Sequence, residues 1–126
     1  DDVVEIRKVS ENTLIGSGPE NIRFLIEVRG IGIVNIKDLF GITSVMNKRE
    51  IEMVIELDAW NSEKEYERLG IDNKTVSILD VELPHTIIPV SPGRNMAAII
   101  EVAVRNQILK TSNSVGIKNS KKNILI

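Results

Sequence analysis

One stretch of this 126-residue sequence carries a long apolar stripe at helical spacing, and the chain before it is broken into short pieces. Met96, Ile99, Ile100, Ala103 and Val104 share one face of an expected helix that runs to about Lys110. Ser91 is expected as its N-cap and Pro92 as its first residue, where a missing N–H costs nothing. Upstream, short apolar runs alternate with glycine and proline turns. The pattern predicts an α/β fold in which strands outnumber helices, with one long C-terminal helix.

Residues 2–9 alternate loosely and read as a strand. A turn at Gly16–Pro19 leads into an expected short helix over Glu20–Ile26, since Pro19 suits a first helical turn. Val28–Val34 is apolar and punctuated by Gly30 and Gly32, and reads as a buried strand or a tight backbone approach. Asn35 is expected to cap a short helix through Leu39, with Gly41 as its stop. The clearest strand is Ile51–Leu57, followed by a polar stretch over 59–74 that holds Trp60, Tyr66 and an Arg68-Leu69-Gly70 turn. A second strand set spans Val76–Val90, with Val81, Leu83 and Ile87 on one face. Pro84 and Pro89, which cannot donate to a ladder, argue against a central position for it. Residues 111–126 show no period and read as a flexible tail, although Ile124-Leu125-Ile126 is apolar enough to dock.

Bulk properties narrow the function. A net charge of −2 argues against nucleic-acid or acidic-membrane partners, which need a clustered basic face. No apolar run approaches the roughly 20 residues that span a bilayer. The opening Asp1-Asp2-Val3 is unlike a secretory leader and reads as the edge of a fragment. With no cysteine, disulfides and thiolate metal sites are excluded, and a reducing cytoplasm is the expected setting. With one histidine, any metal would be a hard cation on oxygen ligands, such as Mg²⁺.

Four groups of residues could carry chemistry. Asp1 and Asp2 could bind a metal or accept a proton from a hydroxyl nucleophile, although a charged pair at a chain end is ordinarily solvated surface. Glu27 and Arg29 would project to one side of an extended segment among apolar neighbours, as an ion pair or as a site. Arg68 could clamp a phosphate through its planar fork, or stand on the surface. Ser91-Pro92-Gly93-Arg94 offers backbone N–H groups and a cation at a helix start, a natural anion pocket, where capping explains Ser91 and Pro92 but leaves Arg94 over. His85 reads as a buttressed structural histidine rather than a catalytic one.

These segments occur in an order that resembles the HPr kinase/phosphorylase family. Ile26-Glu27-Val28-Arg29-Gly30-Ile31-Gly32-Ile33-Val34-Asn35 is similar to its signature, and Leu39-Phe40-Gly41 follows at the family's spacing. Glu65–Gly70, Ile88–Asn95 and Ile99–Ala103 resemble its later blocks, and Asp1-Asp2 the end of an Ala-Asp-Asp strand. The resemblance covers residues 1–110, as the C-terminal part of the catalytic domain. It implies a partial P-loop kinase domain of the phosphoenolpyruvate-carboxykinase-like type, with a mixed sheet, usually assembled as a homo-hexamer.

The resemblance also implies roles. Asp2 would accept the proton of the attacking serine and return it in the reverse reaction, with Asp1 beside it. Glu27 would be a Mg²⁺ ligand and Arg68 a catalytic arginine. Ile26–Asn35 would serve both activities, and Pro89, Val90, Ser91, Pro92, Gly93 and Arg94 mainly the dephosphorylation. The implied activity is ATP-dependent phosphorylation of a serine of the phosphocarrier HPr and its phosphorolytic reversal, within the phosphotransferase system and carbon catabolite repression. The sequence contains no Gly-x-x-x-x-Gly-Lys-Ser/Thr phosphate loop, so the chain alone is expected to be inactive. Ile42–Met46 departs from the family's usual small residues and arginine, and Ser91 replaces a usual basic residue. A non-catalytic regulatory or scaffold domain derived from the same fold is the second reading, and a small anion-binding module centred on Pro89–Arg94 the third.

Overall fold

A computed structural model describes residues 2–61 and 74–124, without the side chains of 114–124. Asp1, Arg68 with the rest of the Glu65–Gly70 block, and Leu125-Ile126 lie outside the described residues. The chain divides into two units, Asp1–Glu52 with Ser77–Val81 and Met53–Val76 with Glu82–Ile126.

In the first unit, β1 (Glu5–Ser10) and β2 (Thr13–Ser17) form an antiparallel hairpin, with Ile6 opposite Gly16 and a bulge between Lys8 and Ser10. Leu14 on β2 is fully buried. A side chain at Gly16 would come within 3.1 Å of Val4 and Ile51, so glycine is what lets these two close over the strand.

The helix expected over Glu20–Ile26 is not formed. Only a 3-10 turn, Glu20–Ile22, follows Pro19. Arg23 is extended, with its guanidinium on the Gly18 carbonyl (3.2 Å), and Phe24 takes φ +70°. The following residues enter β3 (Leu25–Val28), which pairs antiparallel with β4 (Gly32–Asn35). Ladder bonds to a nearby partner outweigh a local helical preference here.

The segment read as a buried strand is therefore the tip of a hairpin. The Ile31 N–H closes the turn onto the Val28 carbonyl at 3.0 Å, with Gly30 at φ +86° in its third position. Ile31 and Ile33 are 76% and 74% exposed. Glu27 stays on β3 while Arg29 belongs to the turn, so the two do not share one extended strand face.

Asn35 ends β4 and caps α1 (Ile36–Phe40), its Oδ1 accepting the Asp38 N–H at 3.2 Å. Gly41 stops the helix at φ 90°, ψ 167°, a conformation essentially reserved for glycine. This cap and stop match the sequence expectation. The expected strand Ile51–Leu57 forms only from Val54, as part of β6; before it, β5 (Lys48–Glu50) pairs with the free side of β2. Between them the Ile51 N–H donates to the Leu14 carbonyl at 2.9 Å.

The other sheet has the order β6-β8-β7, from β6 (Val54–Ala59), β7 (Thr75–Ile78) and β8 (Val81–Val90). β6 runs parallel to β8, Val54 opposite His85 through Ala59 opposite Val90. β7 meets β8 across a two-residue turn, Leu79–Asp80, so the sheet is mixed. β8 is central despite Pro84 and Pro89, contrary to the sequence expectation. The short turn confines β7 to the first part of β8, and β6 takes over from His85, so each proline has an unpaired side to occupy. In the second unit Leu83, Ile88 and Ala103 form the buried core. His85 Nε2 lies 3.0 Å from Glu56 Oε2 on the neighbouring strand.

The long helix α2 spans Met96–Ile124. It begins later than expected, because Gly93 at φ +83° turns the backbone out of helical space and Asn95 supplies the cap. Asn95 Oδ1 accepts the Ala98 N–H at 3.1 Å. The helix also continues past Lys110 into the segment read as a tail, which carries no proline to stop it. Ala103 is buried but Val104 is exposed, so the sequence stripe is wider than the buried one.

Candidate functional site

In the first unit Asp2 and Glu27 line one open cleft of about 210 Å³. The other walls are Ile22, Leu25, Ile26 and Ile33, so two carboxylates face a largely apolar recess. The β3–β4 hairpin builds most of it, contributing Leu25, Ile26 and Glu27 from one strand and Ile33 from the other. Asp2 reaches the cleft from an irregular segment before β1 with φ +67°, a conformation that aspartate tolerates better than most residues. The base of the hairpin is tied to α1, since the Ile36 N–H donates to the Phe24 carbonyl at 2.9 Å and Lys37 lies 5.9 Å from the Phe24 ring centre.

In the second unit Pro89–Arg94 leaves β8 through a tight turn. Pro92 and Gly93 occupy its middle positions, and the Arg94 N–H returns to the Ser91 carbonyl at 3.3 Å. Arg94 then folds back: its Nη1 donates to the Pro89 carbonyl at 2.6 Å, and the guanidinium stands 5.9 Å from the Trp60 ring centre. Ser91 makes no helix cap, contrary to expectation, and its hydroxyl lies 3.5 Å from the Pro92 carbonyl.

The structure thus brings Asp2 and Glu27 together and sets Arg94 in a folded loop of the other unit. Asp1 and Arg68 fall outside the described residues. Among the described residues no three acidic or histidine side chains gather around one point. Two carboxylates suit Mg²⁺, which takes one or two from protein and the rest from phosphate and water. In the sequence Trp60 stands only as one residue of a polar stretch. The parallel register that brings Ala59 opposite Val90, and so Trp60 beside the loop, is invisible without knowing which strands pair.

A mixed β6-β8-β7 sheet, two antiparallel sheets and a long C-terminal helix define an α/β protein, with two carboxylates lining one cleft. The chain belongs to the HPr Serine kinase C-terminal domain family, whose model matches residues 1–124. It is 55% identical over 106 residues to the HPr kinase/phosphorylase of Caldicellulosiruptor bescii, covering 84% of this chain and 34% of that protein. Against the HPr kinase/phosphorylase of Geobacter sulfurreducens it is 53% identical over 110 residues, covering 87% and 34%. The chain therefore spans about a third of the length of these relatives. The Hpr(Ser) kinase/phosphatase structure from Coxiella burnetii superposes with a TM-score of 0.82 at 31% identity, covering 94% of this chain and 72% of that one. Among the described residues no helix is long and apolar enough to cross a membrane.

Proposed function

We propose that the chain supplies the acid/base, metal and arginine half of a phosphoryl-transfer site, working within a family-length HPr kinase/phosphorylase. The observation that carries this reading is the shared cleft of Asp2 and Glu27, built by the signature hairpin. The names of the relatives support HPr as the partner protein.

In the forward reaction the Asp2 carboxylate accepts the proton of the HPr serine hydroxyl. The serine oxygen bonds to the γ-phosphorus of ATP, and the bond to the ADP oxygen breaks. In reverse, inorganic phosphate takes the phosphoryl group to give pyrophosphate, and Asp2 returns the proton to the serine oxygen. Glu27 would hold Mg²⁺, which when bound neutralises phosphate charge. Both carboxylates are solvent-exposed at the open cleft, so metal and substrate have direct access to them. Arg68 would neutralise the transferring group, and Asp1 would stand beside the acceptor. The triphosphate itself would be cradled by a phosphate loop outside this chain. The same reading sets the enzyme in the cytoplasm, as a homo-hexamer governing carbon catabolite repression.

The metal role is tested by Glu27→Gln in the family-length protein. The Mg²⁺ concentration for half-maximal HPr phosphorylation should rise about tenfold or more, the scale seen when metal-site partners are lost. An unchanged Mg²⁺ requirement would remove Glu27 from the metal site. Full activity in both Glu27→Gln and Asp2→Asn would favour the scaffold reading instead.

A further inference from the structure

Trp60 touches the Pro89–Arg94 segment at both ends. Its backbone N–H donates to the Val90 carbonyl at 2.9 Å, extending the β6–β8 ladder by one step beyond Ala59 opposite Val90. Its ring stands 5.9 Å from the Arg94 guanidinium, which closes the turn onto Pro89. Trp60 is 54% exposed and does not belong to the buried core. A planar cation within about 6 Å of an indole face is attracted by the ring's negative quadrupole, and Trp is the strongest aromatic for this. Arg94 carries five N–H donors in a fixed fork, and the Pro89 carbonyl is their only acceptor among the described residues. The geometry therefore presents a guanidinium that is held in place and still has donors to offer.

We propose that Trp60 is a positioning residue for the phosphate-handling segment, holding the Arg94 fork in the orientation that receives inorganic phosphate. This rests on the dephosphorylation role given to Pro89–Arg94 above. Trp60 acts at two points: its N–H fixes where the chain leaves β8, and its ring fixes the guanidinium. Any residue but proline supplies the N–H, whereas only an aromatic supplies the ring. The ring's contribution can therefore be separated from the strand's.

The test is a titration of the ¹⁵N-labelled 126-residue chain with inorganic phosphate, followed at the Gly93 amide. The sequence has a single tryptophan, so the indole N–H gives one cross-peak as a second reporter. Trp60→Leu should weaken phosphate binding about two- to fivefold, the range of an exposed cation–π contact. Trp60→Phe should restore binding to near the wild-type value, and Arg94→Ala should weaken it at least as much as Trp60→Leu. Arg94→Ala should also shift the indole cross-peak before any phosphate is added. O-phosphoserine, titrated alongside, should bind more weakly than inorganic phosphate, and tighter binding would overturn the assignment to free phosphate. If Arg94→Ala weakens binding but Trp60→Leu does not, or if Phe restores nothing, Trp60 has no positioning role and the segment's phosphate role stands. If wild type and Arg94→Ala respond alike to phosphate, the segment's role fails and the positioning proposal falls with it.

Discussion

The Nη1 of Arg94 donates to the carbonyl of Pro89 at 2.6 Å, closing a loop whose middle is Pro92-Gly93. The closure depends on Gly93, because a φ of +83° costs a residue with a Cβ about 1 kcal/mol or more. Nothing lies within 4 Å of the position a Cβ would take, so Gly93→Ala introduces backbone strain without a clash. We expect Gly93→Ala to lower the unfolding free energy by about 1 kcal/mol in urea titration. In the family-length protein it should slow phosphorolysis of phospho-HPr more than ATP-driven phosphorylation. Equal slowing of both reactions would show that the loop does not favour the phosphate side.

The turn between β7 and β8 offers a stabilising change. Leu79 and Asp80 take φ of +48° and +62°, the left-handed pair that a two-residue hairpin demands. Asn-Gly meets that demand at lower cost than Leu-Asp. The double variant Leu79→Asn, Asp80→Gly should raise stability by about 1 kcal/mol. Leu79 is half exposed, so little buried area is lost in the exchange. A fall in the thermal midpoint would mean that Leu79 packs on something the hairpin needs.

The purified 126-residue chain should show no phosphorylation of HPr with ATP and Mg²⁺, because no segment of it has the residue pattern of a phosphate loop. A γ-³²P transfer assay checks this, and measurable labelled HPr would mean that the triphosphate is held in some other way.

How much of this was legible depends on whether a feature is local. The Asn35 cap and the Gly41 stop depend on residues within one turn, and both were readable from side-chain type alone. Ser91-Pro92 has the residue types of a helix opening, yet α2 starts later. The deciding residue was Gly93, whose positive φ moves the start to Asn95. The apolar composition of Val28–Val34 suggests a buried strand or a tight backbone approach; the segment is a tight hairpin turn between paired strands, with Ile31 and Ile33 exposed. Burial depends on what covers a segment, and that is not written in the segment. Residue chemistry alone left Asp2 and Glu27 as unconnected candidates. The family resemblance linked their roles, and the cleft they share is a property of the folded unit.

The central claim is that Asp2 takes the serine proton at a cleft it shares with Glu27. The measurement that bears on it most directly is the rate of HPr serine phosphorylation by the family-length protein carrying Asp2→Asn, at saturating ATP and Mg²⁺. Loss of a positioned proton acceptor should lower that rate by about 10²- to 10⁴-fold. The thermal midpoint should hold, since the Asp2 side chain is exposed. A rate within a few-fold of wild type in a folded Asp2→Asn protein would contradict the account.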